Sequence, residues 1–266
     1  MALDAAVGVL ACPHCTAPLA IAGRVLTCPT GHSFDVAKQG YVNLLGSAQP
    51  ANADTSDMVA ARDRFLSSGL YDPVAAALVD AVRDSRASTI AEVGAGTAWY
   101  LTQVLDRLPT ARGVALDVSV QAARKAARAH PRAASVVADT WRRAPLVDHS
   151  VNLLLCVFAP RNLPEFRRVL APTGQLVIIH PNPGHLAGLR GSYGLLDVDA
   201  DKESRLAHQL EGFEVSRQRV SYEVEATADQ VTDLVAMGPN AFHASPQPYP
   251  AASLDVDVTI VTAAVA

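Results

Sequence analysis

The sequence contains no long hydrophobic run and no recognisable export signal. Its longest apolar stretch, residues 151–159, is interrupted by Asn152 and is far too short to span a bilayer. The chain begins Met-Ala-Leu-Asp, without the basic and apolar regions of a secretory signal. We therefore expect a cytoplasmic protein that does not associate with membranes.

Cysteine and aromatic residues are also scarce. The four cysteines, Cys12, Cys15, Cys28 and Cys156, are unsuited to a disulfide framework in a reducing compartment, so the three near the N-terminus need another explanation. Aromatic residues make up only 5% of the chain, whereas half of all residues are hydrophobic, so the core must be mainly aliphatic. A length of 266 residues fits one large domain, or one large and one small domain.

A strong excess of positive charge is absent as well. The net charge is −4, which disfavours a protein that coats nucleic acid through charge alone. The charge is unevenly distributed, since residues 107–168 contain eleven Lys and Arg against four Asp and Glu. This segment either forms a face that attracts polyanions or consists of solvated helix faces, and the sequence leaves both interpretations open.

Apolar segments alternate with helical segments in the remainder of the chain. Strands are predicted at 89–93, 113–116, 134–138, 151–158 and 174–179, with helices of about ten residues between them. This alternation predicts an α/β fold of the Rossmann-like class, with a parallel sheet covered on both faces. Two later apolar runs, 213–225 and 254–265, predict an antiparallel pair at the edge of that sheet.

The chain divides into three predicted parts. Residues 1–46 are rich in turns and form a small N-terminal module, residues 47–84 comprise a linker and two helices, and residues 85–266 form the main domain. Residues 47–57 are small and polar, which predicts a mobile linker. The first helix is expected from Met58, capped by Ser56 and Asp57, and the second is expected from Asp72.

The N-terminal module contains a metal-ligand pattern. The spacing is Cys12-x2-Cys15-x12-Cys28-x3-His32, which brings two closely spaced pairs of thiolate and imidazole ligands together. Such a set predicts a tetrahedral, structural Zn²⁺ site of the zinc-ribbon type, in which protein ligands fill every position. His14 is an alternative fourth ligand, although its place between two cysteines directs it poorly. A module this small depends on the metal for much of its stability.

Three acidic signals follow the first three strands of the main domain. Glu92 precedes the turn Gly94-Ala95-Gly96-Thr97, Asp117 ends the second strand, and Asp139 ends the third. An acid before the glycine turn suits a cationic amino group, a strand-end acid can accept ribose hydroxyls, and the third can accept an adenine amino group. The three signals together predict S-adenosylmethionine as the cofactor. For each acid alone, a helix cap is the competing interpretation.

The residues resemble the family of large-subunit ribosomal RNA (guanine-N1)-methyltransferases, which includes the branch associated with resistance to tylosin-type macrolides. The resemblance covers nearly the whole chain. It includes the motifs Ala61-Arg62-Asp63-Arg64-Phe65-Leu66, Phe158-Ala159-Pro160 and Met237-Gly238-Pro239. Its specific part is His32-Ser33-Phe34-Asp35 followed by Gly40-Tyr41-Val42-Asn43-Leu44-Leu45. It implies methyl transfer from S-adenosylmethionine to N1 of a guanosine in 23S ribosomal RNA, with an effect on macrolide sensitivity.

The resemblance also implies particular residues and partners. Tyr71, the Gly96-Thr97 turn and His185 are expected to line the cofactor pocket together with Asp117. The N-terminal module is expected to help hold an RNA hairpin, and the enzyme is expected to be a homodimer. The first 46 residues contain only Arg24 and Lys38 as basic residues, balanced by two acids, so charge contributes little to RNA binding there.

Two competing functions and the identity of the base stay open at the level of sequence. One alternative is a methyltransferase of the same fold that acts on a small natural product. Another is a zinc-ribbon binding protein whose main domain is inactive. Removal of the guanine N1 proton suggests a general base or a site that stabilises the anionic ring, and the sequence does not identify one. The candidates are Arg161, Asn162, His180 and His185.

Overall fold

The computed structural model describes residues 2–193, 195–197, 202–242 and 248–265. The N-terminal module begins with a short 3-10 helix, Ala2–Ala6, followed by a three-stranded antiparallel sheet. Its strands are β1 (Ala20–Ala22), β2 (Val25–Thr27) and β3 (Ser33–Asp35), in the order β1-β2-β3. They are joined by the tight turns that the glycines and prolines of this segment predict.

The main sheet has eight strands among the described residues. They are β4 (Tyr41–Asn43), β5 (Thr89–Val93), β6 (Arg112–Asp117), β7 (Ala133–Val137), β8 (Val151–Val157), β9 (Leu170–Pro181), β10 (Phe213–Ala226) and β11 (Ala252–Val265). Their spatial order is β10-β11-β9-β8-β5-β6-β7-β4. The pairs from β4 to β9 are parallel, whereas β11 runs antiparallel to β9 and β10. The predicted α/β fold and its antiparallel edge are therefore confirmed.

Helices cover both faces of this sheet. They are α1 (Ser56–Leu66), α2 (Asp72–Ala81), α3 (Trp99–Arg107), α4 (Val120–Ala126), α5 (Leu163–Val169), α6 (Ala187–Tyr193), α7 (Lys202–Gln209) and α8 (Ala228–Ala236). Successive residues of a strand point to opposite faces, so Leu153 and Leu155 of β8 join one hydrophobic cluster while Leu154 and Cys156 join the other. Two aliphatic cores, one on each face, result from the nearly continuous apolar strands.

Several predicted element limits shift by a few residues for local reasons. Helix α1 begins at Ser56, because the hydroxyl of Thr55 accepts a hydrogen bond from the Met58 amide and serves as the N-cap. Helix α5 begins at Leu163, because the side chain of Asn162 caps it. Strand β9 begins before the predicted turn at residues 172–174, which it contains as an irregularity.

The N-terminal module packs continuously against the main sheet. Strand β4, which belongs to the predicted first part, pairs in parallel with β7 at the edge of the main sheet. Leu3, Leu10 and Leu26 share a buried cluster with residues of the central strands. The division at residue 46 stays a prediction, but it coincides with no break in the packing.

No helix within the described ranges is both long and apolar enough to cross a bilayer.

Candidate active site and metal centre

The four predicted zinc ligands form one cluster. The ligand atoms of Cys12, Cys15, Cys28 and His32 all lie within 4.8 Å of one another. The His32 Nδ1 atom lies 3.5 Å from the Cys12 sulfur and 3.3 Å from the Cys28 sulfur. Metal–ligand bonds of about 2.0–2.3 Å place tetrahedral ligand atoms about 3.3–3.8 Å apart, so the donor set fits one Zn²⁺.

Short turns bring the second ligand pair together. Gly31 adopts a φ of 92°, and its amide donates to the Cys28 carbonyl at 3.0 Å. This left-handed turn lets Cys28 and His32 face the same point. His14 lies beside the cluster, where its ring lies 4.9 Å from the His32 ring and is stacked with the Phe34 ring at 5.9 Å. The structure therefore selects His32 over His14 as the fourth ligand.

A cavity of about 580 Å³ lies at the carboxyl edge of the main sheet. All eight predicted cofactor residues line it: Tyr71, Glu92, Gly94, Gly96, Thr97, Asp117, Asp139 and His185. Their place at one edge follows from the parallel strands, whose carboxyl ends all meet there. Their individual binding roles stay predictions.

Backbone conformation and close contacts require glycine at both ends of the turn Gly94-Ala95-Gly96. Gly94 and Gly96 have φ values of 63° and 53°, which favour glycine. A Cβ atom on Gly94 would lie 2.6 Å from the Cβ of Ala159, and one on Gly96 would lie 2.8 Å from Nη1 of Arg62. The turn is thus packed between the segment after β8 and an arginine from α1.

Asp117 braces the glycine turn. Its Oδ2 accepts from the Gly96 amide and its Oδ1 from the Ser119 amide, both at 2.8 Å. Ser119, rather than Asp117, is the N-cap of α4, since its hydroxyl accepts from Ala122. The helix-cap interpretation of Asp117 is therefore wrong. Burial raises the pKa of Asp117, although the two amide hydrogen bonds oppose the shift.

Glu92 is almost fully buried beneath the same turn. One carboxylate oxygen accepts from the Leu101 amide at 3.2 Å. Burial raises the pKa of Glu92 to about 8, with a smaller contribution from the nearby Asp117. A buried acid of this kind is suited to pair with a cationic group that enters the cavity.

Asp139 is less buried than Glu92 and follows β7 at the lining of the cavity. Its Oδ1 accepts from the Trp141 amide at 2.9 Å, and its Oδ2 lies 3.6 Å from Nε of Arg142. Thr97 Oγ1 and the Tyr100 hydroxyl are buried lining atoms without a hydrogen-bond partner. Buried polar atoms are rarely left unpaired in folded proteins, so these two fit a polar ligand in the cavity.

Tyr71 and His185 form a hydrogen-bonded pair whose tautomer is determined. The His185 Nδ1 atom accepts from the Asp257 amide at 3.2 Å, so the ring proton lies on Nε2 and is donated to the Tyr71 hydroxyl, also at 3.2 Å. Burial, followed by the charge of Arg190, lowers the pKa of His185 to about 4. His185 is therefore neutral with both nitrogens engaged, which makes it unsuitable as the general base.

The other candidates for the base have structural partners or an unsuitable position. The side-chain amide of Asn162 donates to the carbonyls of Thr140, Trp141 and Arg142, so it fixes that loop. His180 is buried in β9, where its Nδ1 lies 3.3 Å from the Pro181 carbonyl, and it does not line the cavity. Arg161 is half-buried, and burial lowers its pKa, but the guanidinium remains a cation.

Part of the predicted linker lines the cavity. Pro50, Asn52, Ala53 and Asp54 line the cavity. The Asp54 carbonyl accepts from the buried Ser119 hydroxyl at 2.7 Å, and the Gln49 side chain accepts from the Val120 amide at 2.8 Å. These two contacts hold Gln49 and Asp54 against the start of α4, and the mobility of residues 47–57 stays a prediction.

Arg62 is a charged lining residue that sequence reasoning missed. Its guanidinium pairs with Asp54 and donates to the Met237 carbonyl at 2.6 Å, so it joins three segments around the cavity. The resemblance motif around residues 61–66 contained it, but no spacing rule marked its function. Within the described lining it is the one side chain with a permanent positive charge.

The fold and the cavity define a class of protein, the S-adenosylmethionine-dependent methyltransferases. Solved structures agree at the level of the fold. A chain from the complex of the Haloferax volcanii Trm112 methyltransferase activator with a provisionally assigned methyltransferase is 18% identical, with a TM-score of 0.51 over 80% of this chain and 98% of that one. The YcgJ protein of Bacillus subtilis is 14% identical, with a TM-score of 0.50 over 71% and 97%.

Curated relatives narrow this class to one family. The 23S rRNA (guanine(748)-N(1))-methyltransferase of Streptomyces fradiae is 46% identical over 89% of this chain and 87% of its own length. A protein of Micromonospora griseorubida, provisionally assigned the same guanine-N1 activity on 23S rRNA, is 47% identical over 96% and 94%. The zinc-ribbon family model described as "RlmA, N-terminal" matches residues 10–52. The chain belongs to the family of 23S rRNA (guanine-N1)-methyltransferases, which confirms the resemblance and the zinc ribbon.

Proposed function

We propose that this chain transfers a methyl group from S-adenosylmethionine to N1 of a guanosine in 23S ribosomal RNA. The observation that carries the proposal is 46–47% identity, over most of each chain, to relatives assigned this reaction. The cavity supports it, because it combines a buried acid, a glycine turn and a strand-end aspartate at one sheet edge.

Each predicted cofactor residue has a role in this proposal. Glu92 faces the cationic amino group of the cofactor, Asp117 accepts the ribose hydroxyls, and Asp139 accepts the adenine amino group. Gly94, Gly96 and Thr97 allow the backbone to approach the ligand, and the neutral pair of Tyr71 and His185 also lines the cavity. When bound, S-adenosylmethionine supplies an electrophilic methyl group on a sulfonium.

The chain's own contribution is mainly positioning. Holding N1 of the guanine in line with the methyl group supplies most of the acceleration. His185 is neutral and already hydrogen-bonded on both nitrogens, so we infer that the N1 proton leaves to another acceptor. The Tyr71 hydroxyl accepts from His185, which directs its own hydrogen toward a further acceptor such as a substrate oxygen.

The RNA-binding part of the proposal assigns the zinc ribbon to a ribosomal RNA hairpin. One of its two basic residues, Arg24, donates to the carbonyls of Val36 and Ala37, at 3.0 and 2.7 Å, and so serves the ribbon itself. Contact with the hairpin must therefore rest on shape and stacking more than on charge. Homodimerisation, cytoplasmic location and an effect on macrolide sensitivity belong to the same proposal.

The test is methyl transfer to unmodified 23S rRNA from a cofactor with an isotope-labelled methyl group. Mass mapping of nuclease fragments should find one labelled 1-methylguanosine, which also identifies the nucleotide. Asp117→Ala should reduce the product strongly, whereas Arg83→Ala, a change at an exposed surface pair with Asp84, should not. Drug sensitivity of a susceptible strain that expresses the chain, and sedimentation of the protein, test the remaining parts.

One outcome would favour the small-molecule alternative. If neither naked 23S rRNA nor the large ribosomal subunit accepts the label while cofactor binding is normal, the proposal fails. Absence of cofactor binding by calorimetry would instead favour a binding protein with an inactive domain.

A further inference from the structure

Exposed aromatic side chains are concentrated at the cavity. The large hydrophobic side chains that the described residues leave exposed are Val7, Trp141, Phe158, Leu196, Phe242 and Val265. All three aromatic members of this set line the cavity. In a chain with only 5% aromatic residues, this concentration at one opening indicates a surface for a planar, apolar ligand.

Phe158 has an unusual backbone conformation. It directly follows β8 and adopts a φ of 51°, which is an outlier for a bulky side chain. Such strain persists only where the surroundings impose it, and it clusters at functional sites. Here the Phe158 amide donates to the Ile179 carbonyl at 3.0 Å, and the next residue, Ala159, is packed against Gly94.

The Phe158 ring packs against three other cavity-lining rings. Its centroid lies 6.1 Å from that of His185, with ring planes 19° apart, and 6.1 and 6.3 Å from those of Tyr71 and Tyr100. The side chain nevertheless stays 39% exposed. A ring supported in this way can receive a second flat ring without rearrangement.

Trp141 carries a second exposed ring, and hydrogen bonds hold its backbone in place. Its amide donates to Asp139, and its carbonyl accepts from the Asn162 side chain at 2.9 Å. The residue is nonetheless 65% exposed. Asn162 directly follows Pro160 and Arg161, so the Trp141 loop is tied to the segment that carries Phe158.

We propose that Phe158 and Trp141 form a nucleobase subsite in which the target guanine stacks after it leaves the RNA stack. The inference rests on the proposed function. The N1 atom lies on the Watson–Crick edge, so an enzyme reaches it only on a single-stranded or extruded base. Aromatic side chains stabilise such bases by stacking. The acids proposed to bind the cofactor, Glu92, Asp117 and Asp139, have no ring on which a base could stack.

The experiment compares four variants with the wild type on a 23S rRNA hairpin transcript. Phe158→Gly keeps the left-handed backbone without strain but removes the ring, and Phe158→Tyr keeps the ring. Trp141→Ala removes the second ring. Val265→Ala is the control, because it shortens an exposed apolar side chain at the opposite edge of the sheet.

The expected result is a rise in KM for RNA of tenfold or more in Phe158→Gly and Trp141→Ala. Phe158→Tyr and Val265→Ala should stay within about twofold of the wild type. Calorimetric affinity for S-adenosylmethionine should be the same within about twofold in all variants. Transcripts with 2-aminopurine beside the target should brighten when the wild type binds, but not when Phe158→Gly binds, and this measurement requires no catalysis.

Two results would overturn the inference. One is an unchanged KM for RNA and unchanged fluorescence in Phe158→Gly. The other is a tenfold loss of cofactor affinity without a change in the KM for RNA, which would assign these rings to the cofactor. A wild type that methylates no ribosomal RNA would instead contradict the proposed function.

Discussion

The zinc centre and the cofactor cavity are assembled over very different distances in the sequence. The metal ligands lie within 21 residues of one another, on two turns of the N-terminal module. The cavity draws on residues from Pro50 to Phe242 and depends on the whole main sheet. The geometry of the zinc centre therefore depends on the bound metal, whereas that of the cofactor cavity depends on the folding of the whole main sheet.

The segment between them connects the two sites. Residues 47–55 follow the zinc ribbon and then pass along the cavity, where Gln49 and Asp54 hold the start of α4. Arg62 pairs with Asp54 from the next helix. We therefore expect loss of a zinc ligand to destabilise the N-terminal module strongly. Substitution of Arg62 should have a smaller effect, which should appear as weaker cofactor binding.

The largest effect is expected from Cys28→Ser. Zinc should fall from one equivalent per chain to below half, because a tetrahedral site loses a thiolate. Structural zinc contributes about 10 kcal/mol or more to small modules, so hydrogen exchange of β1–β3 should lose its protection. Cys156→Ser, in buried strand β8, is the control and should retain its zinc. Metal analysis that finds a full equivalent in Cys28→Ser would contradict this ligand set.

The second effect is a pH dependence of stability that arises from Glu92 in the cofactor cavity. The pKa of Glu92 rises from its ordinary 4.5 to about 8 through burial, so the folded protein retains a proton that the unfolded chain loses. This contribution to stability is complete below pH 4.5 and disappears as the pH rises toward 8. Glutamine at position 92 stays neutral at every pH. Glu92→Gln should therefore reduce the change in the free energy of unfolding between pH 4.5 and 8 by a few kcal/mol.

The measurement is chemical denaturation between pH 5 and 8.5 without cofactor. Asp117 and the zinc ligands are present in both proteins, so their contributions cancel in the difference between the curves. Parallel curves for the wild type and Glu92→Gln would show that Glu92 is ionised at neutral pH in the folded protein.

The third effect separates two arginines of one helix. Arg62→Ala leaves Asp54 without its partner and frees the Met237 carbonyl, which should weaken cofactor binding by about 1–3 kcal/mol. Arg64→Ala removes an exposed pair with Asp233, and surface pairs contribute about 0–1 kcal/mol. Calorimetry on the two variants checks this. Equal cofactor affinities would show that the segment at residues 47–55 does not shape the cavity.

The same contrast explains what could be predicted from the sequence. The zinc ligands followed from spacing, and Glu92, Gly96 and Asp117 followed from their places at strand ends. Arg62 and Asp54 could not be found in this way, because their contact depends on how α1 packs against the glycine turn. Composition also could not show that Gln49 and Asp54 find hydrogen-bond partners at the start of α4.

The smallest effect concerns the basic segment 107–168, where the arginines differ in their partners. Arg142 and Arg143 have acidic partners, Asp139 and Asp148, which offset much of their attraction for phosphate. Arg161 has a buried Nη1 atom without a hydrogen-bond partner, and burial lowers its pKa. We therefore expect Arg161 to contribute more to RNA binding than either of the other two.

Arg161→Ala should lower RNA affinity and reduce the salt dependence of binding by about one phosphate contact, a change of roughly 0.7–0.9 in the slope of log K against log salt. Arg143→Ala should change the slope by less than half as much. Removing a half-buried, incompletely paired cation should leave the free energy of unfolding unchanged or raise it, so lost RNA binding would not reflect a damaged fold. Filter binding at several salt concentrations, with thermal unfolding of each variant, provides both quantities. Equal slopes for the two variants would mean that acidic partners do not control which arginines of this segment meet the RNA, and that its charge acts as a diffuse field.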